Sequence, residues 1–250
     1  MFFERVVYLK KKKILIPSII IGVLLVLSAA FFIYVNTDKY YADDTALSAA
    51  VSDNEVTVTK ENGKMVFTPK SYDHGLIFYP GAKVEYSSYA PLMKELAKKD
   101  ILCIIDEMPF DMAILDINAA NSVKEEFPSV RHWYIGGHSL GGYAASSYAD
   151  KHRDELDGLI LLAAYTTSDL SDSSLNVISI YGSNDKVLDI NKYRDSYSLL
   201  PADTKELIIQ GGCHSYFGSY GAQKGDGIPE ISSSEQIKQT ADFIEYNIIN

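Results

Sequence analysis

Six short apolar runs, separated by stretches of helical periodicity, most limit how this chain can fold. Each run has three to five residues and is apolar almost throughout, which is typical of strands buried on both faces of a sheet. Strands that alternate with helices form βαβ crossovers and therefore a parallel sheet. The pattern predicts an α/β fold with a mostly parallel sheet and helices on both faces. The runs are 76–79, 101–105, 133–135, 159–162, 177–181 and 207–209.

A hairpin precedes these runs. Asn62-Gly63 lies between residues 55–59 and 65–68, and this dipeptide is the strongest short hairpin signal. Two hairpin strands bring the predicted sheet to eight strands. The chain of 250 residues is long enough for one such domain and too short for two. The predicted helices lie at 89–98, 117–127, 140–151, 192–199 and, closing the chain, 235–248.

The N-terminus carries a long uncharged segment. Ile14 to Val35 spans 22 residues, and at about 1.5 Å per residue it reaches across a hydrocarbon core of about 30 Å. A cleaved secretory signal is the main alternative, but its apolar region usually spans about 7–15 residues. We therefore predict one transmembrane helix, a signal anchor, at 14–35. The flanking divisions are a cytoplasmic basic segment at 1–13, a linker at 36–54 and the folded domain at 55–250.

Basic residues determine the predicted orientation of this anchor. Arg5 and the lysines at 10–13 precede it, so the domain is expected outside the cell membrane. Residues 1–40 hold six of the 23 basic and two of the 33 acidic residues. The rest of the chain therefore has 17 basic and 31 acidic residues, a net charge of −14. That charge disfavours nucleic acid and anionic headgroups as partners.

The segment from Trp133 to Gly142 combines an apolar strand, a tight turn and a helix. It contains Gly137-x-Ser139-x-Gly141, a pattern that says little by itself. Its context is that of a nucleophilic serine on a strained turn between a strand and a helix. The glycines leave room for the neighbouring strand and helix. A serine that only caps the helix is the alternative interpretation.

A nucleophilic serine needs a base, and the base needs an orienting acid. Two histidines follow Ser139. His152 lies in the charged end of a helix, whereas His214 follows the last apolar run in a Gly-Gly-Cys-His loop. Asp185 follows the preceding run on a Gly-Ser-Asn turn, and Asp189 is its nearest competitor. We predict His214 as the base and Asp185 as the acid, with no metal site.

The oxyanion formed during attack on a carbonyl needs fixed N–H donors. The amide of Leu140, directly after the serine, is the first predicted donor. The second is expected in the loop after the run at 76–79, which reads Pro80-Gly81-Ala82. We choose the amide of Ala82, because Gly81 gives the backbone room to approach a substrate.

Four motifs follow one another along the chain: the loop Pro80-Gly81-Ala82, the serine turn at 137–141, the turn with Asp185 and the loop with His214. Taken together, they resemble the α/β-hydrolase superfamily, from about residue 56 to the C-terminus. The chain is most similar to compact bacterial members related to dienelactone hydrolases and small carboxylesterases. The resemblance implies a Ser139–His214–Asp185 triad, acyl-enzyme chemistry and no cofactor. Many members carry His-Gly where this chain has Pro80-Gly81. The resemblance therefore supports the second oxyanion donor less strongly than it supports the triad.

The resemblance implies cleavage of a carboxylic ester or thioester, on a small molecule or an envelope component. Acyl transfer to a sugar or glycerol hydroxyl, and a catalytically silent envelope protein on the same fold, are the alternatives. Hydrolases of this fold commonly carry a cap domain between the strands at 159–162 and 177–181. Here only fourteen mostly polar residues, 163–176, lie between them. An open groove and short acyl groups are therefore expected.

The stretch at 217–227, after the predicted base, is unusually rich in glycine. We expect it to fold against the site as a rim. Structural support is the expected role of Gln223 and Asp226 in this stretch.

Overall fold

The computed structural model describes residues 2–249, with side chains from residue 17 onward, and it forms two compact units, Met1–Lys39 and Tyr40–Asn250. The first unit contains helix α1, Phe2–Asn36. Within α1, the segment Pro17–Asn36 is long and apolar enough to cross a membrane. The side chains of the predicted basic segment, 1–13, lie outside the described residues.

Eight strands form one sheet in the second unit, as predicted, in the order β1-β2-β4-β3-β5-β6-β7-β8. The pairs β1/β2 and β2/β4 are antiparallel, and all other neighbours are parallel. The strands are β1 Thr57–Glu61, β2 Lys64–Thr68, β3 His74–Tyr79, β4 Ile101–Asp106, β5 His132–His138, β6 Gly158–Leu162, β7 Asn176–Gly182 and β8 Lys205–Ile209.

The predicted hairpin is present. Asn62 and Gly63 both have positive φ, 51° and 73°, which is the two-residue turn that this dipeptide favours. Strand β1 begins two residues later than predicted. Glu55 and Val56 instead donate their N–H groups to Asp53 Oδ1 at 2.9 Å, which holds them in a turn.

Helices cover both faces of the sheet, which explains why central strands such as β4 are apolar without alternation. Along β4, Ile101, Cys103 and Ile105 belong to one core cluster, whereas Leu102 and Ile104 belong to the other. Helices α3 and α7 pack on the first cluster, and α4 and α5 on the second. The helices of this unit are α2 Asp44–Ala49, α3 Ala90–Ala97, α4 Ala120–Glu126, α5 Leu140–Lys151, α6 Ile190–Ser196 and α7 Ser233–Ile249.

Much of the segment predicted as a linker, 36–54, belongs to the second unit. Tyr40 forms an isolated parallel bridge with Val84. Asp43 caps α2 by accepting the N–H of Ala46, and the side chain of Ala46 is fully buried. One buried alanine among small and polar residues produces no hydrophobic periodicity, so this short helix has no sequence signature. The folded unit begins at Tyr40 rather than at residue 55.

No helix or strand is inserted between β6 and β7, in agreement with the prediction from loop length. Residues 163–175 are turns and irregular backbone throughout. The edge of the sheet above the end of β5 is therefore not covered by a domain inserted at this position.

Candidate active site

The predicted site residues lie in loops that follow four parallel strands, and the carboxyl ends of parallel strands meet at one edge of a sheet. The loop with Pro80 follows β3, and Ser139 directly follows β5. Asp185 follows β7, and His214 follows β8. Since β3 and β6 flank β5, the serine lies near the middle of this edge.

Ser139 adopts a conformation that only a tightly packed turn can hold. Its φ is 54° and its ψ is −123°, in a sparsely populated region for a residue with a side chain. A Cβ atom on Gly137 would lie 2.5 Å from the carbonyl carbon of Gly141. A Cβ atom on Gly141 would lie 2.2 Å from the carbonyl oxygen of Tyr79. Both glycines are thus required by backbone contacts, as the Gly-x-Ser-x-Gly spacing predicted.

Ser139 and His214 line the same cleft, whose volume is about 420 Å³. Most of its other side chains are apolar or aromatic, and Asp189 also lines it. No hydrogen bond joins Ser139 Oγ to His214 among the described residues, and such contacts often tighten only when a substrate is bound. The remaining lining residues are Ile114, Leu140, Tyr143, Ala163, Ala164, Tyr165, Thr167, Val187 and Leu188.

His214 and Asp185 form a buried pair. The distance between His214 Nδ1 and Asp185 Oδ2 is 2.8 Å, and the two side chains are 1% and 2% exposed. Asp185 Oδ1 accepts the N–H groups of Val187 and Leu188, both at 2.8 Å, so the carboxylate is fixed. Because an ionised carboxylate can only accept, His214 Nδ1 donates to Asp185, which leaves Nε2 as the ring nitrogen that can contact a substrate or Ser139. Nε2 is buried and has no partner among the described residues.

The competing carboxylate, Asp189, is used elsewhere. It caps helix α6 by accepting the N–H groups of Asn191 and Lys192 at 3.2 Å. The structure brings Asp185, and not Asp189, onto His214. The other histidine that follows the serine, His152, pairs with Glu155 at the end of α5.

The two predicted oxyanion donors have different surroundings. Leu140 is the first residue of α5, where N–H groups have no acceptor within the helix, and it lines the cleft. Ala82 lies in the loop after β3, and its N–H has no acceptor in the described part of the chain. The cleft lining includes Leu140 but not Ala82.

A buried tyrosine that sequence reasoning missed connects the loop after β3 to the residue before the serine. The hydroxyl of Tyr89 accepts the N–H of Gly81 at 3.0 Å and lies 2.9 Å from His138 Nδ1. Burial lowers the pKa of His138 well below its ordinary value. His138 is therefore neutral, and Tyr89 can donate its single proton to Nδ1. No local pattern around Tyr89 indicates this contact.

Comparison with known proteins identifies the family. A family model described as the alpha/beta hydrolase family matches residues 75–238, which is most of the second unit. The chain belongs to the α/β-hydrolase family. Its class of activity is that of a hydrolase.

Several solved structures share the fold. A protein described as a CIB-like hydrolase from Thermoplasma acidophilum has 16% identity and a TM-score of 0.57, and the match covers 77% of this chain and 100% of that one. Est1E from Butyrivibrio proteoclasticus has 14% identity and a TM-score of 0.56, and the match covers 79% and 100%. At such identities the likeness shows the fold alone. No curated protein sequence matches this chain.

Proposed function

We propose that the protein is a serine hydrolase that cleaves carboxylic ester or thioester bonds through an acyl-enzyme. The observation that carries the proposal is the buried pair of His214 and Asp185, 2.8 Å apart, whose histidine lines the same cleft as Ser139. A fixed carboxylate, an imidazole whose Nε2 has no hydrogen-bond partner among the described residues, and a serine on a strained turn are the parts that this chemistry needs.

In the proposed reaction, His214 Nε2 takes the proton of Ser139 Oγ while Oγ bonds to the carbonyl carbon of the substrate. The amides of Leu140 and Ala82 hold the oxyanion, and Asp185 stabilises the imidazolium. The imidazolium then protonates the departing alcohol or thiol as its bond to the carbonyl breaks. A water molecule, deprotonated by His214, releases the acid and restores the serine.

The proposal is tested by turnover of p-nitrophenyl acetate with the purified full-length chain in detergent. We expect steady release of p-nitrophenol, and covalent labelling by a fluorophosphonate that competes with turnover. Adding glycerol during the reaction tests the acyltransferase alternative, since transfer would yield glycerol acetate at the expense of acetate. A catalytically silent protein would show neither turnover nor labelling.

The cleft size and the absence of a domain inserted between β6 and β7 predict a preference for short acyl groups. Each buried CH₂ contributes about 0.8 kcal/mol, and an open cleft can bury few of them. We expect kcat/KM for p-nitrophenyl esters to be highest at about two to four carbons and weak activity on triglycerides. The series is measured below the micelle concentration of each ester. A value that rises steadily to about twelve carbons would contradict this prediction and indicate a lid.

We also propose that α1 anchors the protein in the cell membrane, with the hydrolase domain on the outer side. The length and apolar character of Pro17–Asn36 support the anchor. The basic residues before it, among them Arg5, support the orientation.

The orientation predicts the outcome of limited proteolysis. Protease added to intact protoplasts should remove the chain beyond about residue 40, which leaves a short membrane-bound fragment. A cytoplasmic marker protein must stay intact in the same sample before detergent is added. With detergent present, the protease must be able to digest both the marker and the domain. A domain that is digested only after detergent is added would reverse the proposed orientation.

A further inference from the structure

The loop that carries His214 is held by side chains from the residues that follow it. Asp226, in the glycine-rich stretch, accepts the N–H of His214 at 3.1 Å through Oδ1 and the N–H of Ser215 at 2.9 Å through Oδ2. Oδ1 also accepts the N–H of Gly227 at 2.7 Å. Both oxygens of this carboxylate are therefore occupied, and two of these N–H donors belong to the loop of the proposed base.

Gln236, in helix α7, holds the preceding residue. Its Oε1 accepts the N–H of Cys213 at 2.9 Å, and its Nε2 donates to the carbonyl oxygen of Cys213 at 2.8 Å. The side chain of Gln236 is fully buried. Three successive N–H groups, those of Cys213, His214 and Ser215, thus each donate to a side-chain oxygen. These bonds fix the backbone from which the imidazole projects.

The same stretch also contacts the turn that carries the proposed acid. Asn184 Nδ2 donates to the carbonyl oxygen of Ile228 at 3.0 Å. A Cβ atom on Gly227 would lie 1.7 Å from the carbonyl oxygen of Asn184, so only glycine allows this approach. The N–H of Lys186 lies 3.5 Å from Asp226 Oδ1. Asp226 therefore lies between the acid turn and the base loop.

Asp226 is a charged group in this position. Partial burial raises its pKa, but the N–H groups of Ser215, His214 and Gly227 outweigh that effect and leave the pKa below its ordinary value. The side chain is therefore an anion at neutral pH, and hydrogen bonds from N–H groups to an anion are stronger than those to a neutral acceptor.

We propose that Asp226 is a positioning residue for the catalytic base. By holding the N–H groups of His214 and Ser215, it fixes the orientation in which the imidazole can contact Asp185 and accept the proton of Ser139. This inference rests on the proposed function. Catalytic groups have to be held within about 0.5 Å of their working geometry, and a displacement of about 1 Å can cost on the order of 100-fold in rate.

Substitution Asp226→Asn tests the inference, because it keeps the side-chain shape and replaces one acceptor oxygen by an amino group that faces an N–H. We expect the rate constant of fluorophosphonate labelling to fall about 10- to 100-fold, while the fraction of chains finally labelled stays that of the wild type. For p-nitrophenyl acetate, kcat should fall by a similar factor and KM should change less than about threefold. A purely structural role would lower the final labelled fraction and leave the rate constant of the folded chains unchanged.

Two further variants control the measurement. Asp203→Asn makes the same change of charge at an exposed side chain, which pairs with Lys205, and should label at the wild-type rate. Asp226→Glu keeps the charge and both oxygens, and it should label faster than Asp226→Asn. If Asp226→Asn does not fold, Asp226→Glu tests the inference alone. Its labelling rate constant should then be lower than that of the wild type, while all of its chains are finally labelled. An unchanged rate constant in the folded variants would overturn the inference, whereas an unlabelled wild type would contradict the proposed function itself.

Discussion

Replacing Ser139 by alanine is expected to lower kcat for short esters by on the order of 10³-fold or more. Members of a nucleophile–base–acid group act as a unit, so loss of the nucleophile removes the acyl-enzyme route as a whole. The fold should be preserved, because Ser139 Oγ makes no side-chain hydrogen bond among the described residues. We expect Tm to stay within about 3 °C of the wild type, which corresponds to less than about 1 kcal/mol.

The measurement is turnover of p-nitrophenyl acetate with parallel thermal melts. Ser147→Ala is a matched control, since this serine lies in helix α5, which begins directly after Ser139, and donates only to the carbonyl oxygen of Tyr143. That variant should retain wild-type turnover. Activity of Ser139→Ala within about tenfold of the wild type would contradict the assignment of the nucleophile.

Asp185→Asn should lower kcat by about 10³- to 10⁴-fold. The variant keeps the side-chain shape, but an amide beside His214 Nδ1 no longer holds the imidazole in the tautomer with Nε2 free, and it does not stabilise the imidazolium. The burial of both side chains, at 1% and 2% exposure, leaves no solvent route to replace the lost contact.

Asp189→Asn is the matched control for that result. Asparagine is as good a helix cap as aspartate, so helix α6 should remain intact and kcat should change by no more than a few-fold. Both variants are compared in one turnover assay with equal amounts of folded protein. A larger loss for Asp189→Asn than for Asp185→Asn would show that the acid is misassigned.

The sequence was sufficient to predict an eight-stranded, mostly parallel sheet and, apart from helix α2, the succession of strands and helices along the chain, because the central strands are buried on both faces. In β4, for example, Leu102 and Cys103 face opposite clusters, so the run is apolar at every position. The turn at Ser139 could also be predicted from the sequence, because contacts between neighbouring segments of backbone require glycine at positions 137 and 141. Local steric constraints of this kind leave a sequence pattern.

Contacts between distant residues leave no such pattern. Tyr89 and His138 are 49 positions apart, and neither residue type is unusual where it stands. Asp226 was expected to give structural support only, because nothing near it in the chain indicates that it accepts the N–H of His214. Helix α2 was missed for the opposite reason, since it is local but buries only Ala46. Its stability depends on the cap at Asp43 and on packing, not on periodicity.

The central claim, that Ser139 is an activated nucleophile, is tested most directly by covalent labelling. The full-length protein is incubated with a fluorophosphonate and digested, and the adduct is located by mass spectrometry. We expect one adduct, on Ser139, with none in Ser139→Ala and labelling slowed strongly in His214→Ala. No adduct on the folded wild-type protein, or an adduct on another serine that persists in Ser139→Ala, would contradict the claim.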